Sequence, residues 1–161
     1  MKLYMKQQFF SFRTKFDIYD IDQNPVYYVE GTLFTLSKQR FIYDVATGQE
    51  LAYFKQELFH LFPTFDVYAS GEFVATIKKE FSFFKPRYVL QGSDWSIEGD
   101  FFAHNYHIID GTGQVIATIS KKWLAWSDTF EFDINDALVN PVAVIAVILA
   151  IDAVMDSNSS S

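Results

Sequence analysis

Six cations occupy matching places in two stretches of this chain: Lys78, Lys79, Lys85 and Arg87 in one, Lys121 and Lys122 in the other. Brought to one rim they would make an anion site, because ammonium and guanidinium groups hold phosphate oxygens through charge-assisted hydrogen bonds. The plainer reading is that they are solubilising lysines that keep strand edges from pairing with other chains. Glu80, next to Lys79, also cancels part of the charge. His104 and His107 suggest a metal site only until their spacing is considered. Three apart on a strand, they point to opposite faces, and with His60 alone in an aromatic corner and no cysteine in the chain, no metal or cofactor is assigned. Glu98 and Asp100 stand two apart, the parity of paired carboxylates for acid–base work, yet they flank Gly99 and read as a solvent-facing strand end. Gly111-Thr112-Gly113 leads into a strand, whereas a phosphate cradle would lead into a helix, so it is a hairpin turn. The aromatics Phe81, Phe83, Phe84, Trp95, Trp123 and Trp126 could face a ligand or membrane; recurring at equivalent corners, they read as barrel core and end caps. No catalytic constellation emerges, and an enzyme is not expected.

The elements that must position these residues are legible as a repeat. Gly48–Leu58, Gly71–Phe81 and Gly113–Trp123 superimpose without gaps, each a turn glycine followed by a strand. Glycine permits the positive φ of a reversal. Apolar residues recur with period two, as in Phe73, Ala75, Ile77 and in Val115, Ala117, Ile119, and that parity is taken as inward. The corners repeat as well: 58–65 matches 81–88, Phe9–Tyr19 aligns with Leu58–Tyr68, and Trp123–Phe132 completes the set. Tight turns near 22–25, 46–48, 69–71 and 110–113 alternate with these corners, which is an antiparallel meander, and its turn spacing of roughly 8 to 12 residues predicts a barrel or sandwich. Lys79 and Lys121 share the inward parity, where burial is costly. Either a bulge resets the register just before them, or they snorkel from the strand end.

Residues 137–151, ALVNPVAVIAVILAI, are apolar on every side of a helix, so the run must be enclosed. A membrane span needs about 20 apolar residues, and this run holds 15 with Asn140 and Pro141 among them. Asn at the cap and Pro in the first turn predict a helix over about 140–153, with Asp152 as its polar exit. The expected shelter is the inside of the strand shell. One domain spans 1–156, followed by a polar flexible tail at 157–161.

With 161 residues the chain is long enough for a single core. Aromatics make up 19% of it and Phe alone contributes 18 residues, which favours pleated, half-buried surfaces. The net charge of −7 is uneven: residues 1–80 carry nine Lys/Arg against ten acids, residues 81–161 four against ten. Such a balance argues against generic nucleic-acid binding. Absence of cysteine points to a reducing cytoplasm, and the opening MKLYMKQQFF has no apolar core of a signal peptide.

Ile119-Ser120-Lys121-Lys122-Trp123, the stretch Trp95–Phe101 and the apolar run closing in Ala150-Ile151-Asp152-Ala153 together resemble the LURP-one-related family. That family belongs to the tubby C-terminal-like superfamily, which also contains the phospholipid scramblases. The resemblance covers Phe9 to Asp156 and implies a closed antiparallel barrel of about twelve strands around a central hydrophobic helix. Of function it implies little: plant relatives are associated with defence, tubby domains with phosphoinositide binding and transcriptional control, scramblases with lipid movement, and the short bacterial-type members, which this chain most resembles in length, with no established activity. With no catalytic constellation, the expected role is a non-enzymatic binding or scaffold module of unknown ligand or partner, and the alternative a membrane-associated phospholipid- or phosphoinositide-binding or scramblase-like protein. Tubby-type lipid-binding residues have no matching motif here, and fold analogy alone does not choose.

Overall fold

Short runs of alternating Phe, Tyr, Val and Ile between turn-forming residues make strands, and the computed structural model shows twelve of them with one helix. It describes residues 1–6, 15–32, 37–84, 87–100, 102–124 and 127–159, with side chains except those of 123, 124, 127, 128 and 156–159. The first six strands are β1 (Lys2–Lys6), β2 (Lys15–Tyr19), β3 (Pro25–Gly31), β4 (Gln39–Asp44), β5 (Glu50–Gln56) and β6 (Thr64–Ala69). The others are β7 (Glu72–Glu80), β8 (Arg87–Gln91), β9 (Ser96–Asp100), β10 (Asn105–Ile109), β11 (Val115–Leu124) and β12 (Ser127–Ile134), before helix α1 (Pro141–Ser159). They form one antiparallel sheet in the order β8-β7-β6-β5-β4-β3-β2-β1-β12-β11-β10-β9. Every chain neighbour but β8 and β9 is thus a ladder neighbour, and β1 pairs with β12 to bend the meander into a nearly closed barrel. At the seam between β8 and β9, Tyr88 and Phe102 meet edge to face with ring centres 6.2 Å apart.

The strand that follows each of four tight turns carries one extra residue. Ile18 faces Tyr27 but Tyr19 faces Pro25; the same slip occurs at Ile42/Tyr43, Val67/Tyr68 and Ile108/Ile109. The residues left over are Val26, Leu51, Val74 and Ile116, of which the first three pack against the core and Ile116 lies within it. Each bulge therefore sends two successive apolar side chains inward. Ala75, Ile77, Ala117 and Ile119 are buried as the alternation predicts, but Phe73 and Val115 are exposed, on the far side of their bulges. Because the bulge in β7 lies at the opposite end from Lys79, no reset precedes that lysine. Lys79 instead snorkels at the strand end, its ammonium 5.4 Å from the centre of the Phe62 ring. Carboxylates organise three of the turns: Asp20 Oδ1 accepts the Asp22 and Asn24 N–H groups, Asp44 Oδ2 that of Thr47, and Asp110 Oδ1 those of Thr112 and Gln114.

Helix α1 threads the barrel. Asn140 Oδ1 accepts the Val142 N–H at 3.1 Å, the predicted cap, and every residue from Val144 to Asp152 is buried. The helix continues to Ser159, past the predicted end near 153 and into the expected tail. Nothing after Pro141 interrupts it, since Ser and Asn lower helix propensity only weakly and no Gly or further Pro follows. Outside the barrel, directly opposed residues build an aromatic ladder across five strands. Tyr28 stacks on Tyr43 and Tyr53 on Tyr68, both at 4.9 Å, with Phe41 against Tyr53 and Phe73 against Tyr68. Such cross-strand pairs hold register.

Gly99, at φ +114, faces Tyr106 across the β9–β10 ladder, and a Cβ there would lie 2.9 Å from the Asn105 carbonyl oxygen and 3.0 Å from the Tyr106 Cα. Gly99→Ala is therefore expected to destabilise the fold by about 1–3 kcal/mol, since neither backbone strain nor a backbone clash can relax cheaply. Urea denaturation measures it, and an unchanged midpoint would contradict the close approach.

Candidate binding end of the barrel

Antiparallel alternation sorts the connections into two sets. Odd-to-even connections (after β1, β3, β5, β7, β9 and β11) all fall at one end, and even-to-odd turns at the other. The turn end carries the Asp-organised hairpins. The opposite end carries the corners with repeated aromatics, and there the expectation of core and end caps fails. Phe59, Leu61, Phe81, Phe83 and Phe84 are between 71% and 102% exposed, more than any other large apolar residue described. Proline-bearing and polar corners hold these segments away from the strands, and the barrel interior is already filled by α1, so no room is left for the phenyl rings. Trp95 is half-buried against the core; the side chains of Trp123 and Trp126 lie outside the described residues. Phe81 and Phe83 meet edge to face at 5.1 Å. With Phe62, Lys79, Glu80, Ser82 and Phe84 they line a cleft of about 320 Å³.

The described cations are sorted in the same way. Among the described residues, Lys6, Lys15, Lys38, Arg40 and Lys55 lie toward the aromatic end, as do Lys78, Lys79, Arg87, Lys121 and Lys122. Lys2 is the one described Lys or Arg at the turn end. The acids divide between the ends: Asp20, Asp22, Asp44, Glu50, Glu72, Asp94, Asp110, Asp133 and Asp136 lie toward the turn end, whereas Glu30, Glu57, Asp66, Glu80, Glu98 and Asp100 lie toward the aromatic end. Of the candidate cations, Lys78 and Lys79 on β7 neighbour Arg87 on β8, whereas Lys121 and Lys122 on β11 lie across the β8–β9 seam with β9 and β10 in between. They share an end but not one tight patch. Arg87 Nε lies 3.7 Å from Glu80 and Lys122 Nζ 4.0 Å from Glu131. Lys85 lies outside the described residues.

Two polar clusters at this end were not legible in the sequence. Asp152, expected at the helix's polar exit, is buried, and its Oδ1 lies 2.8 Å from His104 Nε2. His104 sits at φ +55 in the β9–β10 corner and stacks on Phe130 at 4.6 Å. Burial pushes the Asp152 carboxyl up, opposed by the His104 hydrogen bond and charge and by Arg40. Burial, and secondarily Asp152, likewise raises the phenol of Tyr106. His107 turns elsewhere, its Nδ1 3.0 Å from Thr118 Oγ1. His60, expected alone, has Nε2 2.9 Å from Glu57 Oε2. Glu57 is raised above the ordinary carboxylate range, first by a side-chain hydrogen bond with Asp66, and Asp66 in turn accepts the Thr76 hydroxyl at 2.6 Å. Sequence spacing hid this cluster because β5, the corner and β6 bring its members together only when paired. Glu98 and Asp100 are exposed, and Asp100 Oδ1 caps the Ala103 N–H at 3.0 Å.

Comparison with known proteins gives three matches. The family model described as LURP-one-related matches residues 1–152. A curated relative, "Uncharacterized protein YxjI" of Bacillus subtilis (strain 168), is 33% identical over 163 residues, covering 99% of this chain and 98% of its own. An X-ray structure of an Arabidopsis thaliana protein superimposes with a TM-score of 0.65 at 15% identity, over 95% of this chain and 91% of that one. This last likeness is one of fold: the same barrel with its helix.

Proposed function

The chain belongs to the LURP-one-related family, and from that premise we propose that it is a non-enzymatic binding module of the cytoplasm that engages its partner through the aromatic, cation-rich end of the barrel. The observation that carries the reading is the gathering of Phe59, Leu61, Phe81, Phe83 and Phe84, all strongly exposed, on the loops of one end. Contiguous apolar surface rimmed by polar groups is costly in water and marks interaction sites. The interior adds support, because a barrel that would otherwise have space for a small ligand is packed with the side chains of α1. The wider kinship with tubby C-terminal-like domains and scramblases belongs to the same proposal.

A photo-crosslinking amino acid placed at Phe83, compared with one at Thr112 in the turn end, tests it in native extract. Discrete adducts from position 83, at least several-fold above those from 112, are expected. Equal labelling from the two positions, or none from 83, would remove the assignment, as would reproducible turnover of a substrate by the purified protein.

A further inference from the structure

Resting on that assignment of the binding end, we propose that its partner is a second copy of this chain, docked end to end across a two-fold axis so that the Phe59 ring of each copy enters the aromatic cleft of the other.

The end offers a knob and a hole side by side. Phe59 on the β5–β6 loop is fully exposed and held at φ +66, and a bulky residue in the left-handed region is strained. The loop thus keeps a phenyl ring in solvent at a conformational cost, an arrangement with no benefit to the single barrel and a direct one to docking. The next connection round this rim, β7–β8, carries Phe81, Phe83 and Phe84, which with Phe62 wall the cleft of about 320 Å³. A phenyl ring fits such a space and meets the ring edges and faces that aromatic pairs prefer. Because the two loops are neighbours, a two-fold axis passing between them sets each against the other loop of the second copy, and every contact is made twice.

The apolar area agrees with a contact of this kind. Phe59, Leu61, Phe81, Phe83 and Phe84 are 71% to 102% exposed, and at roughly 150–250 Å² for a buried aromatic side chain the five present on the order of 800 Å². Two copies would then bury about 1,600 Å², the usual size of a specific protein interface. Leu58 and Phe102, at 42% and 56% exposed, flank the same surface.

Charge selects which ends can meet. With a net charge of −7, two copies repel each other except where the local charge cancels. At the turn end nine acids stand against Lys2, and burying their carboxylates is costly. At the aromatic end Glu30, Glu57, Asp66, Glu80, Glu98 and Asp100 stand among ten described cations, of which Lys15, Arg87 and Lys122 are ion-paired there. A surface of both signs is complementary to itself, since an exposed Lys121 of one copy can meet an exposed Asp100 of the other. The acidic ends then lie outermost. Strands of nine and ten residues such as β7 and β11, at about 3.3 Å per residue, hold them on the order of 25 Å from the contact after tilt, beyond the Debye length of about 10 Å at 0.1 M salt. Head-to-tail stacking would instead press phenyl rings on carboxylates and leave the assembly open.

Sedimentation equilibrium of the whole chain from about 1 µM to about 200 µM tests the proposal. A monomer–dimer equilibrium is expected, with no species beyond two chains, and it should hold at about 0.5 M salt because the centre of the contact is apolar. Phe59→Asn, whose side chain suits the left-handed region, should weaken association roughly tenfold or more while the monomer's melting temperature stays level or rises. Phe83→Ser with Phe84→Ser should weaken it as much, with melting within about 2 °C of the parent because these are surface positions. Ile21→Ser in the turn end should change nothing. A chain that stays monomeric throughout, assemblies that grow past two chains, or a dimer indifferent to Phe59→Asn would overturn the proposal. Crosslinks from position 83 separate it from the broader reading. Adducts at twice the chain's mass agree with self-association, adducts to other molecules alone overturn it and leave the binding end standing, and none at all removes both.

Discussion

Val147→Asp is expected to abolish the native state. Val147 is fully buried in α1, and the helix packs against β5, β6, β7 and β12, so a carboxylate there has no water and no cation to meet. The desolvation cost of such a group, ionised or forced neutral, runs to several kcal/mol and adds to the lost packing. Against a total stability of about 5–15 kcal/mol that is decisive, because the same helix side chains are the filling of the barrel rather than an appendage to it. Far-UV circular dichroism, tryptophan fluorescence and solubility should report an unfolded or aggregated chain. Val147→Thr, which keeps the shape and adds one buried hydroxyl, should cost about 1–3 kcal/mol and still fold. A Val147→Asp protein that melts like its parent would mean that α1 does not lie inside the strands.

The second large effect concerns His104 and Asp152, and its signature is a pH dependence. Burial raises the folded-state carboxyl of Asp152 above its ordinary value of about 3.9. The folded chain therefore binds that proton more tightly than the unfolded chain does. It follows that Asp152 disfavours folding increasingly as pH rises through its folded-state pKa, and that stability is regained as pH falls toward the unfolded value. Asp152→Asn, isosteric and uncharged, removes this dependence: it should match the parent near pH 4 and equal or exceed it at neutral pH. His104→Ala acts in the opposite sense. It deletes the partner that lowers the carboxyl's pKa, steepening the slope and costing about 2–4 kcal/mol at neutral pH, below the full cost of breaking a deeply buried pair because the imidazole is partly exposed. Thermal melts of the two variants and their double mutant between about pH 4 and pH 8 measure the coupling. Asp152→Asn falling as far as His104→Ala, at every pH, would show that the pair is held for its hydrogen bond and not against a charge penalty.

The outcome at particular residues shows how far the sequence could be read. Asn140 and Pro141 start the helix where their types require, and Gly48, Gly71 and Gly113 take the positive φ that their turns demand. These are local decisions. The bulges at Val26, Leu51, Val74 and Ile116 had a signal as well, two adjacent apolar residues after each turn, but strict alternation conceals it and puts Phe73 and Val115 on the wrong face. Asp152 reads as a polar exit because nothing near it in the chain reveals the His104 imidazole 48 residues away.

Composition, period and turn chemistry thus determined a β meander wrapped around an apolar helix, since each rests on a residue's preference for its own φ, ψ and degree of burial. Which end the residues occupy was decided only by the closed fold. Along the chain, aromatic corners and acidic turns alternate and the charges average out. Antiparallel pairing reverses direction at every strand, sending each corner to one end and each turn to the other, and an alternation in sequence becomes a polarity in space.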